Sequence, residues 1–329
     1  MDAALLVIVV VVALGFDFTN GFHDTANAVA TSVSTRALSP RVAVAIAAVA
    51  NLAGAFVTTA VAKTVGKGII DTSLANEKTV LAALFGAIAW NLLTWWLGLP
   101  SSSSHALIGG LIGAAIVQSG LEGVQWHGVL HSVLIPAAVA PALGFAGAFA
   151  VLLGSLWLFH WARPGPANRG FRLAQIASGT WVSFTHGSND AQKTMGVIAL
   201  ALYEGGHIST FYIPDWVKVA AGLAIGAGTY AGGWRIMRTL GQRIFKMEPA
   251  DGFAAQMAGG TTIYLATHFG YPVSTTHVVS GAVMGAGATR RLSAVRWGVA
   301  GNIVFAWLLT IPAAAIVAAL LYWPVEAIF

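Results

Sequence analysis

Two short polar stretches lie inside otherwise apolar blocks, and each carries a carboxylate that could do chemistry. Residues 18–30 read FTNGFHDTANAVA and residues 184–196 read FTHGSNDAQKTMG, which aligns Asp24 with Asp190. A carboxylate at the centre of a bilayer costs about 2.5–3.5 kcal/mol on insertion scales. Two such residues at matching positions are therefore expected to have a function, and we predict that they face each other across one binding site.

Each stretch places its polar side chains on one face of a helix. Asn20, Asp24 and Asn27 have the spacing of a single helical stripe, and their counterparts in the second stretch repeat it. A stripe of oxygen and nitrogen ligands suits a dehydrated cation or a proton relay, although intramembrane asparagines also hydrogen-bond between helices. The candidates for binding a coupling ion or proton are Asp24, Asp190, His23, Asn20, Asn27, Asn189 and Lys193, and Asp24 and Asp190 are also the candidates for a metal.

A second motif, a proline followed by hydroxyl side chains and a histidine, also occurs twice. Pro100 precedes four serines, and Pro272 precedes Val-Ser-Thr-Thr. A proline interrupts a helix and a hydroxyl caps the next one, so free N–H groups, O–H donors and a positive dipole end converge. Such a site suits a tetrahedral oxyanion, and ordinary capping is the alternative. The predicted oxyanion ligands are Ser101, Ser102, Ser103, Ser104, Ser274, Thr275 and Thr276. The residues expected to surround these ligands, without necessarily touching the anion, are His105, His277, His186 and Asn91.

The charge of these groups predicts that an oxyanion enters together with cations. Asp24, Asp190 and Lys193 sum to about −1 when ionised, and a divalent oxyanion brings the total to about −3. Two half-helix N-termini supply roughly +0.5 each, which does not balance that charge in a low dielectric. Coupled entry of protons or metal cations is therefore expected.

The composition indicates that membrane-spanning helices carry these motifs. Of the 329 residues, 57% are hydrophobic and 9% are charged, whereas a soluble domain carries about 25% charged residues. Residues 3–16 lack a basic flank and a cleavage site, so we interpret them as mature structure and not as a signal peptide. We predict an all-α polytopic membrane protein with about 10–12 membrane helical segments. The lack of cysteine excludes disulfides, and basic residues scattered over short loops argue against a nucleic-acid partner.

The two motifs recur in the same order in each half, which indicates an internal duplication. We predict two inverted-topology repeats, residues 1–160 and 173–329, with broken helices, re-entrant helical hairpins and a cytoplasmic linker at 161–172. In this arrangement twelve basic residues lie on one side and four on the other, as the positive-inside rule requires. Both termini are then periplasmic or extracellular. Inverted repeats with broken helices are typical of secondary transporters, which bind their substrate at the repeat interface.

Both pairs of motifs resemble those of the inorganic phosphate transporter (PiT) family, over nearly the whole chain. The run 86–115 is especially similar to bacterial low-affinity phosphate permeases. The resemblance implies phosphate as substrate, no cofactor, a homodimer and a location in the bacterial inner membrane. It also implies that Ser102–Ser104 and Ser274–Thr276 hold phosphate, while the paired aspartates with nearby asparagines hold the coupling ion.

Two departures from the family pattern bear on the coupling ion. Sodium-coupled members typically carry Gly-Ala-Asn-Asp-x-x-Asn in both halves, whereas this chain has His23 in place of the first Asn and Lys193 in place of the last. A lysine ammonium could occupy the space of a sodium ion, and a histidine with a reference pKa of about 6.5 can carry a proton. These changes resemble the proton-coupled bacterial branch, whose members take up phosphate partly as a neutral metal–phosphate complex. We therefore predict proton-coupled phosphate symport by alternating access.

Three other functions remain as alternatives at this point. A sulfate permease would use the same scaffold, because sulfate is also a divalent tetrahedral anion. A sodium-coupled phosphate symporter is the second alternative. An intramembrane metal hydrolase is the third, but no metal-ligand spacing such as His-Glu-x-x-His and no Gly-x-Ser-x-Gly sequence is present. We therefore expect a transporter and not an enzyme.

Overall fold

The computed structural model describes residues 3–329, and regular structure in that range is helical apart from an isolated bridge between Ile70 and Val124. Ten of the helices have at least 15 residues, which agrees with the predicted number of segments. Among residues 3–329, five helices are long and apolar enough to cross a membrane, judged by length and composition. The predicted all-α polytopic fold is therefore confirmed. Met1 and Asp2, and with them the predicted position of the N-terminus, lie outside the described residues.

The first half contains one break that the apolar pattern did not predict. The sequence of residues 42–62 is predominantly apolar and of the length of one span, but the helix ends at Gly54 and a separate short helix follows. The new helix begins where the Gln192 side chain, from the other half, accepts hydrogen bonds from the Val61 and Ala62 N–H groups. The helices are α1 (Ala3–Ser34), α2 (Pro40–Gly54), α3 (Ala60–Lys67), α4 (Glu77–Leu97), α5 (Ser103–Ser119), α6 (Trp126–Gly128) and α7 (Ile135–Leu158), with a 3₁₀ turn at Gly120–Gly123 and a π-helical segment at Val129–Leu134.

The connection between the two halves is shorter than the polar run 161–172 indicated. Only residues 159–163 separate the two long helices, because Pro164 opens the next helix at a position where its missing N–H costs nothing. The cytoplasmic position of this connection stays a prediction. The helices are α8 (Pro164–Glu204), α9 (Asp215–Ala231), α10 (Trp234–Arg238), α11 (Pro249–His268), α12 (Thr275–Arg290) and α13 (Trp297–Ile328), with a π-helical segment at Thr239–Arg243 and a 3₁₀ turn at Leu292–Ala294.

The broken helices are present at both predicted places. Between α4 and α5 the chain turns through Gly98, which has a φ of 67°, and between α11 and α12 it turns through Gly270, with a φ of 76°. Positive φ is readily accessible to glycine and not to most other residues. In contrast, the polar stretches 18–30 and 184–196 do not interrupt their helices, since α1 and α8 continue through them. The inverted relation of the halves remains a prediction.

Several helices of each half pack against helices of the other half, which we call the exchange of packing partners. In the first half α2 packs on α8 and α5 packs on α13, while in the second half α9 packs on α1 and α12 packs on α7. Small residues allow the close approach: a Cβ at Gly187 would lie 2.1 Å from the Asn51 carbonyl oxygen, and one at Gly54 would lie 2.0 Å from that of Phe184. This exchange brings α1, α8 and the starts of α5 and α12 together in the interior.

Candidate functional site

The N-terminal ends of α5 and α12 meet inside the protein. Ser102 Oγ accepts a hydrogen bond from the His105 N–H (3.0 Å), and Ser274 Oγ accepts one from the His277 N–H (3.2 Å). The rings of His105 and His277 are in edge contact, with centroids 4.6 Å apart. Ser102 and Ser274 therefore serve as matching N-caps, and the two histidines hold the helix starts against each other. Capping, which was the alternative to oxyanion binding, accounts for one hydroxyl in each run.

The threonines of α12 face the carboxylate of α1. Thr275 Oγ1 lies 3.4 Å from Asp24 Oδ2, and Thr276 Oγ1 lies 3.3 Å from Asp24 Oδ1. Asn27 on the next turn of α1 donates from Nδ2 to Thr276 Oγ1 (2.9 Å). The first carboxylate is thus joined to the hydroxyl run of the opposite half, 252 residues away for Thr276.

His23 connects the same carboxylate to the first hydroxyl run. Its Nδ1 lies 2.7 Å from Asp24 Oδ1, and its Nε2 lies 3.1 Å from Thr94 Oγ1 and 3.4 Å from Ser101 Oγ. Ser101 in turn donates to Thr94 (2.8 Å). Continuous hydrogen-bonding contacts therefore run from Asp24 through an imidazole to hydroxyl groups beside the Pro100 break, which is the arrangement that a proton relay needs.

The second carboxylate forms an ion pair with the lysine of its own helix. Lys193 Nζ lies 2.7 Å from Asp190 Oδ1 and donates to the Val273 carbonyl oxygen (2.9 Å) and to Ser104 Oγ. Lys193 is 1% exposed and the Asp190 side chain is fully buried. One ammonium group is thus enclosed by three oxygen atoms, from a carboxylate, a hydroxyl and a main-chain carbonyl. Two of these oxygens come from the two proline breaks.

His186 lies between the two carboxylates. Its Nε2 is 3.9 Å from Asp24 Oδ2 and 3.6 Å from Asp190 Oδ2, and its Nδ1 is 2.7 Å from Asn51 Oδ1. Ligand atoms of Asp24, His186 and Asp190 all lie within 4.8 Å of one another, so these three residues could hold a metal ion. The structure therefore brings Asp24 and Asp190 together as predicted, and it moves His186 from a peripheral position to the centre.

Several predicted residues lie beside this centre without a bond to it. Asn189 turns away and donates to Thr267 Oγ1 (2.8 Å) and to the Tyr271 carbonyl oxygen. Three others are buried, and within residues 3–329 the side-chain polar atoms of each lack a hydrogen-bond partner. These three are Asn20, Asn91 and Ser103.

Some of the polar residues around the site were not singled out in the sequence. Asn51 donates from Nδ2 to Thr229 Oγ1 (3.0 Å) and orients His186, while Thr94 bridges His23 and Ser101. They occur singly inside apolar spans, without a partner at the matching position of the other half. A polar residue in an apolar span was the available signal, but it is also typical of ordinary contacts between membrane helices.

The electrostatic character of the site favours an anion accompanied by cations. The starts of α5 and α12 each contribute roughly +0.5 elementary charge, and Lys193 adds a full positive charge beside Ser104. Asp24 and Asp190 oppose this charge and can accept protons or a cation. The site is closed, because each of the predicted oxyanion ligands is at most 2% exposed.

Three proteins similar to this chain are named as phosphate transporters, and so is the family whose profile matches it. The profile of the phosphate transporter family matches residues 20–318. A protein of Mycobacterium tuberculosis (strain ATCC 25618 / H37Rv) is 54% identical over 97% of this chain and 77% of its own length. Proteins of Rhizobium meliloti (strain 1021) and Bacillus subtilis (strain 168) are 48% and 45% identical, and cover 99% and 100% of both chains. All three are named probable low-affinity inorganic phosphate transporter.

A solved structure has the same fold over the whole chain. It is named the sodium-dependent phosphate transporter, and it superposes with a TM-score of 0.89 at 28% sequence identity, covering 99% of this chain and 100% of its own. Transport, and not catalysis, is therefore the activity in the names of the relatives and of the structural neighbour.

Proposed function

Because this chain belongs to the phosphate transporter family, we propose that it imports inorganic phosphate by proton-coupled symport with alternating access. Phosphate would bind where the starts of α5 and α12 meet, at Ser101, Ser103 and Ser104 together with Thr275 and Thr276. The N-caps Ser102 and Ser274 complete the predicted set and hold the first-turn N–H groups in place. These donors suit a tetrahedral oxyanion, since helix N-termini provide both N–H groups and positive potential.

The contacts of Lys193 carry the proposal of proton coupling. Its ammonium already lies among the oxygens of Asp190, Ser104 and Val273, a set that would otherwise suit a dehydrated alkali cation. A lysine at this position supplies the positive charge permanently and leaves less room for a sodium ion. The structural neighbour is named for a sodium dependence, and at 28% identity that property is not transferred to this chain.

The residues around Asp24 support a route for the coupled proton. His23 lies between the Asp24 carboxylate and the hydroxyls of Thr94 and Ser101, and all of these groups are buried. An imidazole can take a proton at one nitrogen and release it from the other, which suits transfer between groups on its two sides. Protonation here would offset the charge that phosphate brings into the site.

A divalent cation carried with phosphate is a second form of the cargo. Asp24, His186 and Asp190 offer two carboxylate oxygens and one imidazole nitrogen close together. Such a donor set suits several divalent metals, with imidazole favouring the transition ions. In this variant the metal is substrate, and it would enter as a neutral complex that needs fewer coupled protons.

Alternating access would depend on the duplicated breaks. The α4–α5 and α11–α12 pairs both turn through a glycine, and both meet α1 and α8 at the polar site. If the halves are inverted, opposite motions of these two pairs open the site to one side of the membrane at a time. We also propose the homodimer and the bacterial inner-membrane location that the resemblance implies. A cytoplasmic connection between α7 and α8 and termini on the opposite side belong to the same proposal.

Sulfate is the second candidate substrate, and Asp24 favours phosphate over it. The Asp24 carboxylate lies against Thr275 and Thr276, where it could accept a hydrogen bond from the remaining O–H of hydrogen phosphate. Sulfate has no such hydrogen and would leave two anions facing each other. We therefore expect sulfate to compete weakly, and we expect Asp24→Asn to improve its competition.

The test is uptake of radiolabelled phosphate into proteoliposomes under separately imposed proton and sodium gradients. The unmodified protein should accumulate phosphate with a proton gradient, ignore a sodium gradient and resist excess sulfate. Lys193→Asn, which restores the amide of the sodium-coupled pattern, should gain stimulation by sodium. Asp215→Asn on the protein surface is the matched control. Uptake that followed sodium and ignored protons in the unmodified protein would refute the proposed coupling.

A further inference from the structure

A third carboxylate is buried near the site and has no role so far. Asp17 on α1 is fully buried, and neither of its carboxylate oxygens has a hydrogen-bond partner in the described part of the chain. Asn20 and Thr194 are buried side chains beside it that act on the carboxylate as weak hydrogen-bond donors, and their polar atoms have no other partner in the described residues. The buried carboxylate thus has two neutral, weak donors beside it.

These residues lie along the same helices as the central site, at a different depth. Asp17 precedes Asp24 by seven residues, about 10 Å along a helix axis, on the same face of α1. Thr194 follows Asp190 by one turn of α8, so the two helices run antiparallel past each other here. The cluster of Asp17, Asn20 and Thr194 is therefore displaced from Asp24 toward the N-terminal end of α1.

The charges nearby do not neutralise Asp17. Asp190 and Lys193 of α8 act on it electrostatically, but Lys193 is already paired with Asp190 at 2.7 Å. The charged residues of the two other helices packed closely on α1 stand in their first turns. They are Glu77 and Lys78 of α4 and Asp215 and Lys218 of α9. A buried ionised carboxylate with only two weak neutral donors is costly, so Asp17 requires a compensating positive charge, which a proton supplies.

We propose that Asp17, Asn20 and Thr194 form a second proton site, at which the Asp17 carboxylate takes up and releases one proton during each transport cycle. The carboxylate and amide of α1 and the hydroxyl of α8 suit a shared proton. This inference rests on the proposed function, because the proton would be co-transported with phosphate. By the predicted orientation, the site lies on the periplasmic or extracellular side of the phosphate site.

The test counts the ions that move with each phosphate. Purified protein in liposomes is supplied with labelled phosphate, while trapped pH dye reports proton entry and labelled sodium reports sodium entry. Asp17→Asn should move about one proton fewer per phosphate and show a flatter dependence of uptake on pH. If the same variant instead moves about one sodium ion fewer, the inference is overturned. Asp215→Asn, the same substitution on an exposed aspartate, should leave both counts unchanged.

Infrared spectroscopy and a second variant, Asp17→Glu, test the same inference independently. Infrared difference spectra between acidic and alkaline buffer should lose one carboxyl band in Asp17→Asn if Asp17 takes up the proton. Should Asp17→Asn not fold, Asp17→Glu retains the acid and should keep the ion count with a shifted pH midpoint. An Asp17→Asn variant that transports with unchanged counts, or an Asp17→Glu variant with an unchanged midpoint, would overturn the inference. Failure of the proposed function is distinct, because it appears as no gradient-driven phosphate uptake by the unmodified protein.

Discussion

The buried ion pair of Lys193 and Asp190 should be essential to the folded state, and its strength can be bounded from the structure. At a separation of 2.7 Å and an effective dielectric constant of about 20, the attraction is about 6 kcal/mol before the desolvation of both groups is subtracted. Lys193→Met keeps most of the side-chain volume but leaves Asp190 charged and buried. We expect this variant to lose about 3–5 kcal/mol of unfolding free energy.

The double variant Lys193→Met/Asp190→Asn removes both charges and distinguishes this reasoning from a loss of packing. It should recover about 2 kcal/mol or more of the loss, because no unpaired charge remains. Lys218→Met is the matched control, since Lys218 pairs with Asp215 at the same 2.7 Å and the same spacing but at the surface. Equilibrium unfolding by SDS in mixed micelles, followed by tryptophan fluorescence, measures these three variants and the single variant Asp190→Asn. The reasoning is refuted if the losses of Lys193→Met and Asp190→Asn simply add in the double variant.

The same unfolding assay checks three other predictions. Gly187→Ala should cost about 1–3 kcal/mol of unfolding free energy, because its Cβ would collide with the Asn51 carbonyl oxygen. Gly154→Ala is the control and should be neutral or stabilising, because Gly154 faces open space. Equal effects of the two substitutions would contradict this prediction. Asn27→Ala should cost about 1 kcal/mol by removing a buried hydrogen bond to α12, and no loss would show that this contact is dispensable. Ser274→Ala should cost about 1 kcal/mol through loss of the α12 cap, and an unchanged midpoint would exclude that role.

The duplicated motifs allowed much of the site to be predicted from the sequence. Asp24 and Asp190 meet as expected, and the two proline breaks occur where the hydroxyl runs indicated. The contacts that join the site could not be predicted, because helical spacing describes one helix and not its neighbours. The bond from Asn27 to Thr276 spans 249 residues.

The internal duplication does not identify functional residues that occur in only one half. Asp17 has no acidic counterpart in the second half, where alignment of Asp24 with Asp190 places Ser183 opposite it. A search for repeated motifs therefore passes over it. The break after Gly54 was missed for a different reason, since apolar composition continues through it and the stabilising Gln192 is supplied by a distant helix.

The exchange of packing partners between the halves has a consequence for biosynthesis. The partner of α2 is α8, which begins 110 residues after α2 ends, and the partner of α5 is α13, which begins 178 residues after α5 ends. Helices with small-residue faces must therefore wait in the bilayer, exposed to lipid, until the second half is inserted. Neither half can reach its final packing alone. A chain truncated before α8 would leave those faces exposed to lipid.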